Sequence, residues 1–239
     1  MEALEVKTVF TLSLAGYAIP VTETVIISWI VMLILIAGSL LLTRRLTQIP
    51  AGPQVLLETG VEFLNNFAKN QFGSFSKYLG PYMGSLFLFI LTANIIGVLT
   101  PFEIRVFGRE FIPPFVIRPP TRDINVTAAL AVISITLLLV CGFAARGFRG
   151  WFKHLLHPFP MMLPFNIMEY GTRILSLSLR LFGNILGSFV LMHLIAGLFP
   201  VALPMVFSLY FDFFDGIIQA AIFVFLTSLY ISEAVKVEK

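Results

Sequence analysis

The chain has 239 residues, 58% hydrophobic and 12% charged, with 25 phenylalanines, far more apolar material than a soluble core of this size can bury. Its net charge of +3 does not indicate nucleic acid, because the lysines and arginines are scattered in pairs between apolar runs and form no clustered basic face. The single cysteine, Cys141, lies inside an apolar run and reads as a small packed residue, which excludes an internal disulfide framework or a multi-cysteine metal site. These features predict an all-α integral membrane protein, with residues 1–239 forming one membrane domain.

Residues 1–7 are acidic and mixed, with no basic segment before the first apolar stretch, so they do not read as a cleaved signal peptide. Residues 24–42 are uncharged, long enough to cross roughly 30 Å of hydrocarbon, and stop at Thr43-Arg44-Arg45, giving span 1. Residues 53–70 place Leu56, Leu57, Val61, Leu64 and Phe67 at helical spacing beside Glu58, Glu62, Asn65, Asn66 and Lys69. That pattern is an amphipathic helix lying at the interface. Span 2 covers 81–99 and contains one amide, Asn94.

Residues 102–122 are rich in proline and mixed in charge and read as a loop. Span 3 covers 124–145, with Asp123 as its expected N-cap. A polar connection with Arg146, Arg149, Lys153, His154 and His157 follows, ending at Pro158 and Pro160. The two histidines lie three apart, but no third ligand is near, and no metal or cofactor is expected.

Residues 164–199 read as one helix about 54 Å long at 1.5 Å per residue, too long to stand upright in the membrane. Pro200 and Pro204 break it, and a second long helix over 205–235 returns, so the pair forms a steeply tilted hairpin. Five crossings result. One side would carry nine cations (Arg44, Arg45, Lys69, Lys77, Arg146, Arg149, Lys153, Lys236 and Lys239) and the other five (Lys7, Arg105, Arg109, Arg118 and Arg122). The excess places the N-terminus outside and the C-terminus in the cytoplasm. The lack of a basic, acid-poor transit segment favours a bacterial plasma membrane over an organelle.

Arg180 lies in the first long helix with no acid within eight residues on either side. A cation there costs about 2.5–3.5 kcal/mol on insertion scales, and its guanidinium keeps its proton, so it is a fixed charge that attracts a carboxylate and repels a passing cation. Ser176, Arg180, Gly183 and Gly187 share one face, and small residues there suit the close approach of a partner helix. On the return helix Asp212, Asp215 and Gln219 stand at i, i+3 and i+7, a polar stripe suited to a watery proton path. His193 is the histidine at membrane depth, with an unperturbed pKa near 6.5 that suits a proton stepping stone. Glu169 and Arg173, four apart, form a helix-stabilising pair by default, with Glu169 also a candidate for lining an inner exit.

The string Ser176-Leu177-Ser178-Leu179-Arg180-Leu181-Phe182-Gly183-Asn184 resembles the signature of subunit a of rotary F-type ATP synthases. Gln219 followed by Ala220-Ala221-Ile222-Phe223, and the pattern from Pro119 through Asp123 and Asn125 to Thr127, support it. The resemblance covers most of the chain from residue 81 onward. It implies a stator subunit facing a turning ring of c subunits and joined to peripheral-stalk b subunits, with ATP chemistry on other chains. Arg180 would keep the passing c-subunit carboxylate ionised and block direct leak between two half-channels, with Asn184 and Gln219 as its polar companions. Nine residues after the arginine the family often carries a carboxylate or histidine, whereas this chain has Phe189. Asp212, Asp215 and His193 would then supply the outer path and Glu169 the inner one. The competing readings are a self-contained channel or secondary transporter that binds an anionic substrate at Arg180, and a membrane scaffold. No inverted repeat or phosphate-binding glycine loop is visible in the sequence.

Overall fold

The computed structural model describes residues 8–14, 17–44, 46–47, 52–99, 104–106, 109–111, 119–156, 159–198, 207 and 209–235. Two antiparallel hairpins and six long helices make up most of these. Strands β1 (Thr8–Leu14) and β2 (Tyr17–Thr22) pair first, and β3 (Ile104–Val106) and β4 (Arg109–Phe111) form a short ribbon inside the stretch read as a loop. Neither ribbon was expected. Period-2 alternation over Thr11–Leu14 is too brief to separate from an apolar run, and three-residue strands leave almost no pattern.

The helices are α1 (Glu23–Leu42), α2 (Pro53–Phe72), α3 (Ser76–Ile95), α4 (Ile124–Leu156), α5 (Leu163–Leu198) and α6 (Asp215–Val235). Five of them, all but α2, are long and apolar enough to cross a membrane. Helix α3 begins five residues before Pro81, so this proline removes one backbone donor inside the second turn. Helix α4 runs past the expected end at 145 but is broken at Gly147, whose φ of 69° and ψ of 165° suit glycine alone. The break lets Trp151 fold back on Phe143, with ring centroids 4.3 Å apart, and Asn166 then donates to the carbonyl of Leu155 at 2.7 Å near the end of α4. Before α6, Leu209–Phe214 winds as a π-helix.

The chain divides into two compact units. One comprises Met1–Leu41, Leu88–Thr127 and Leu181–Ala220; the other comprises Leu42–Phe87, Ala128–Arg180 and Ala221–Lys239. In the second unit α2 packs against α3 and α6. Gly80 and Gly84 leave room for Ala68 and Leu64, Phe67 lies 6.4 Å from Phe225, and Ser232 donates to the carbonyl of Gln71 at 2.8 Å. The packed face of α2 therefore runs through Leu64, Phe67, Ala68 and Phe72. Leu56 and Val61, on the apolar stripe assigned to the interface, are exposed, at 78% and 57%.

In the first unit, Ile27 and Val31 of α1 pack with Ile96, flanked by Leu35 and Phe89. The opposite side of α1, including Trp29, Leu33, Ile36 and Leu40, is exposed, as expected for a helix whose solvent is lipid. A buried polar knot holds the unit's connections. Asn94 accepts from the hydroxyl of Thr121 at 2.7 Å and donates to the carbonyl of Gly216 at 3.2 Å. A Cβ at Gly216 would stand 3.0 Å from Asn94 Cβ, close enough that Asn94 would have to give by a few tenths of an ångström. Asp123 caps α4 by accepting from the backbone N–H of Asn125 at 2.9 Å, and its other oxygen accepts from Thr24 of α1 at 2.8 Å. Replacing Asn94 by leucine leaves the Thr121 hydroxyl and the Gly216 carbonyl without this partner. The expected cost is about 1–3 kcal/mol, read as a lower denaturation midpoint of the detergent-solubilised protein.

Candidate functional site

Helix α5 presents two contrasting sides. Leu177, Leu181 and Ser188 are buried, whereas Leu175, Ser176, Leu179, Arg180, Gly183, Gly187, Val190 and Leu194 are exposed. A Cβ added at Gly183 or Gly187 would meet nothing within 4 Å. The small face that the sequence placed beside Arg180 is therefore open. Arg180 donates to the hydroxyl of Ser176 at 3.4 Å, a long contact one turn away. Among the described residues no carboxylate lies within ion-pair distance of it. At membrane depth an exposed fixed cation is poorly solvated, and the natural remedy is an anion brought by another molecule.

Two turns before Arg180, Arg173 is in the opposite situation. Its guanidinium pairs with Glu169 of the same helix and, at 2.9 Å, with Glu233 of α6, and it stands 4.5 Å from the centroid of the Tyr230 ring. Arg146 donates to the backbone carbonyl of Glu233 at 3.4 Å. Glu169 is thus engaged in the helix-stabilising pair that its spacing suggested. Glu233 was not singled out from sequence, and the signal for it was weak: an acid near a helix end, far in sequence from its partner.

The remaining sequence candidates belong to the other unit. Asn184 and Gln219 are half-buried, and so is Asp215, which opens α6 and lies next to the Gly216 held by Asn94. An acid in that first turn also favours the helix dipole. The i, i+3 argument joining Asp212 to Asp215 does not carry over, because Asp212 lies in the π-helical stretch, where a turn holds more residues than in an α-helix. The side chains of Asp212, His193 and His154, and all of His157, lie outside the described residues. Among the described residues no group of three His, Cys, Asp or Glu could hold a metal ion.

Position 189, apolar where a polar group was expected, faces a charge supplied from elsewhere. The guanidinium of Arg122 lies 3.9 Å from the centroid of the Phe189 ring, a cation–π contact between the turn before α4 and helix α5. Arg122 had been counted only as a loop charge. The knot of Asn94, Thr121, Asp123 and Thr24, read as capping and packing, surrounds the start of this turn and fixes its place.

Comparison with known sequences agrees with this arrangement. The sequence model of the family described as ATP synthase A chain matches residues 25–232. The chain is 36% identical over 222 residues to "ATP synthase subunit a, sodium ion specific" of Propionigenium modestum, spanning 92% of this chain and 76% of that protein. It is also 36% identical over 217 residues to "ATP synthase subunit a" of Moorella thermoacetica (strain ATCC 39073 / JCM 9320), spanning 91% and 92%. With the match running from α1 through α6 and including the arginine-bearing face of α5, this chain belongs to the ATP synthase subunit a family.

Proposed function

We propose that this subunit a conducts protons through two offset half-channels that open on opposite sides of the membrane and meet a turning ring of c subunits at Arg180. The observation that carries the reading is the exposed guanidinium of Arg180 on an open, glycine-lined face with, among the described residues, no carboxylate within ion-pair distance. A ring carboxylate passing that face would be held ionised opposite the arginine. It would release its proton to one path before it reaches Arg180 and take one up from the other path after passing. The fixed positive charge at the meeting point opposes protons that would cross without the ring.

Asn184 and Gln219 act as polar companions that hydrate and orient the exchange. Asp212, Asp215 and His193 provide the outer path, and Glu169 stands at the inner one. The subunit makes and breaks no covalent bond, and ATP chemistry belongs to other chains. Peripheral-stalk b subunits would hold it against the turning ring. Residues 1–239 act as one membrane domain, a reading supported by α3, α4, α5 and α6 each contributing to both compact units. Nine cations against five favour a cytoplasmic C-terminus in a bacterial plasma membrane. The transporter alternative, with an anionic substrate bound inside the chain's own helices, is disfavoured by an arginine face that opens outward.

In membrane vesicles carrying the assembled complex, Arg180→Ala is expected to abolish ATP-driven acidification or to raise passive proton leak, with assembly retained. Coupled pumping at the wild-type level would overturn the stator reading. Gly187→Leu fills the open face without touching the chain's own core. It should leave the subunit's stability unchanged while coupled pumping falls by at least about ten-fold, because a close helix approach is blocked. Acidification should persist in buffer freed of sodium. A strict sodium requirement would assign this chain the ion named for its Propionigenium relative.

A further inference from the structure

The helical face that bears Arg180 bears a second arginine. Arg173 is seven residues earlier, so it projects from nearly the same side of α5, about 10 Å away along the axis. On the reading above, a c-subunit carboxylate travels past this face, and two bare guanidinia would offer it two places to stop. The structure treats the two cations differently. Arg180 is exposed and, among the described residues, donates to a serine hydroxyl at 3.4 Å with no carboxylate within ion-pair distance. The side chain of Arg173 is 14% exposed and lies under two carboxylates, Glu169 and Glu233, which are themselves 53% and 64% exposed. The Tyr230 ring covers the guanidinium further at 4.5 Å, and the contact from Arg146 to the Glu233 carbonyl holds that stretch of α6 in place.

We propose that Glu233, together with Glu169, screens Arg173 so that the passing ring carboxylate meets one available cation, Arg180, and that Glu233 is therefore a positioning residue for ion transfer. The trio carries a net charge of −1, so it does not hold a carboxylate. The asymmetry in exposure supports this direction of cause. Two largely solvated acids need no partner, whereas a mostly covered guanidinium does. The inference rests on the stator reading of Arg180 and adds to it a residue from α6, sixty positions away in sequence from the arginine it screens.

The test compares Glu233→Gln, Arg173→Gln and the double variant in the whole complex, in membrane vesicles, with ATP hydrolysis by the detached catalytic sector as the assembly control. Glu233→Gln frees Arg173 and should lower ATP-driven acidification by about five-fold or more. Arg173→Gln alone should pump close to the wild-type rate, and the double variant should recover most of what Glu233→Gln loses, because removing the decoy removes the need for its screen. Were the double variant as impaired as Glu233→Gln, the carboxylate itself would be required and the screening inference would fall. Normal pumping by Glu233→Gln would overturn it as well. If Glu233→Gln does not assemble, Arg173→Gln decides: pumping near the wild-type rate supports screening, and collapse in an assembled complex refutes it. Arg180→Ala separates the two levels, because retained coupling there refutes the stator reading, whereas lost coupling there with normal Glu233→Gln refutes the screen alone.

Discussion

An exposed guanidinium, Arg180, that has no carboxylate within ion-pair distance among the described residues sets the terms for the rest of this molecule. Water is absent from the hydrocarbon, so the usual remedy for charge, hydration, is missing, and arginine cannot give up its proton to become neutral. The helix that carries Arg180 nevertheless keeps its glycine side clear of the chain's own packing, with nothing within 4 Å of a Cβ at Gly183 or Gly187. A protein that only needed to fold would cover such a face or place an acid on it. Such an open face of small residues suits the close approach of another apolar helix carrying one carboxylate.

The buried polar groups answer a different need. Asn94, Thr121, Asp123 and Thr24 are hydrogen-bonded among elements far apart in sequence, and each bond lies where an unpaired group would be costly. Through Gly216 the knot fixes the first turn of α6, and with it Asp215; through the turn before α4 it fixes Arg122 on Phe189. Interhelical hydrogen bonds of this kind contribute modest energy in membranes, commonly about 0.6 kcal/mol each, but they are directional. Their larger effect is to fix helix register, and register decides which side chains can line a path.

Much of this was legible in the sequence because membrane physics leaves few options. Uncharged runs near twenty residues had to be helices, the lone arginine had to be exceptional, and the glycines at its spacing had to mark a close approach. What escaped notice depended on distances that sequence order does not encode. Glu233 pairs with Arg173 sixty positions away, Arg122 reaches Phe189 across a similar gap, and the hairpin strands are too short to show a period. The apolar stripe of α2 did not tell which of its members pack within the chain. Leu56 and Val61 are as apolar as Leu64, but in lipid an apolar residue gains little by turning inward, so periodicity no longer identifies the packed side.

The same argument explains why the full difference between the two arginines of α5 was not visible in the sequence. By spacing they are equivalent, two cations on one face, and Glu169 four residues before Arg173 looked like a routine helix pair. Their difference is created by α6, which brings Glu233 and Tyr230 to one of them and, among the described residues, no acid to the other. A charge that must act on a moving partner has to be kept available, and a nearby charge of the same sign has to be neutralised. On the stator reading, α5 supplies the first and Glu233 of α6 the second, so the selectivity proposed for the Arg180 face is a tertiary property although the arginine itself is plain in the sequence.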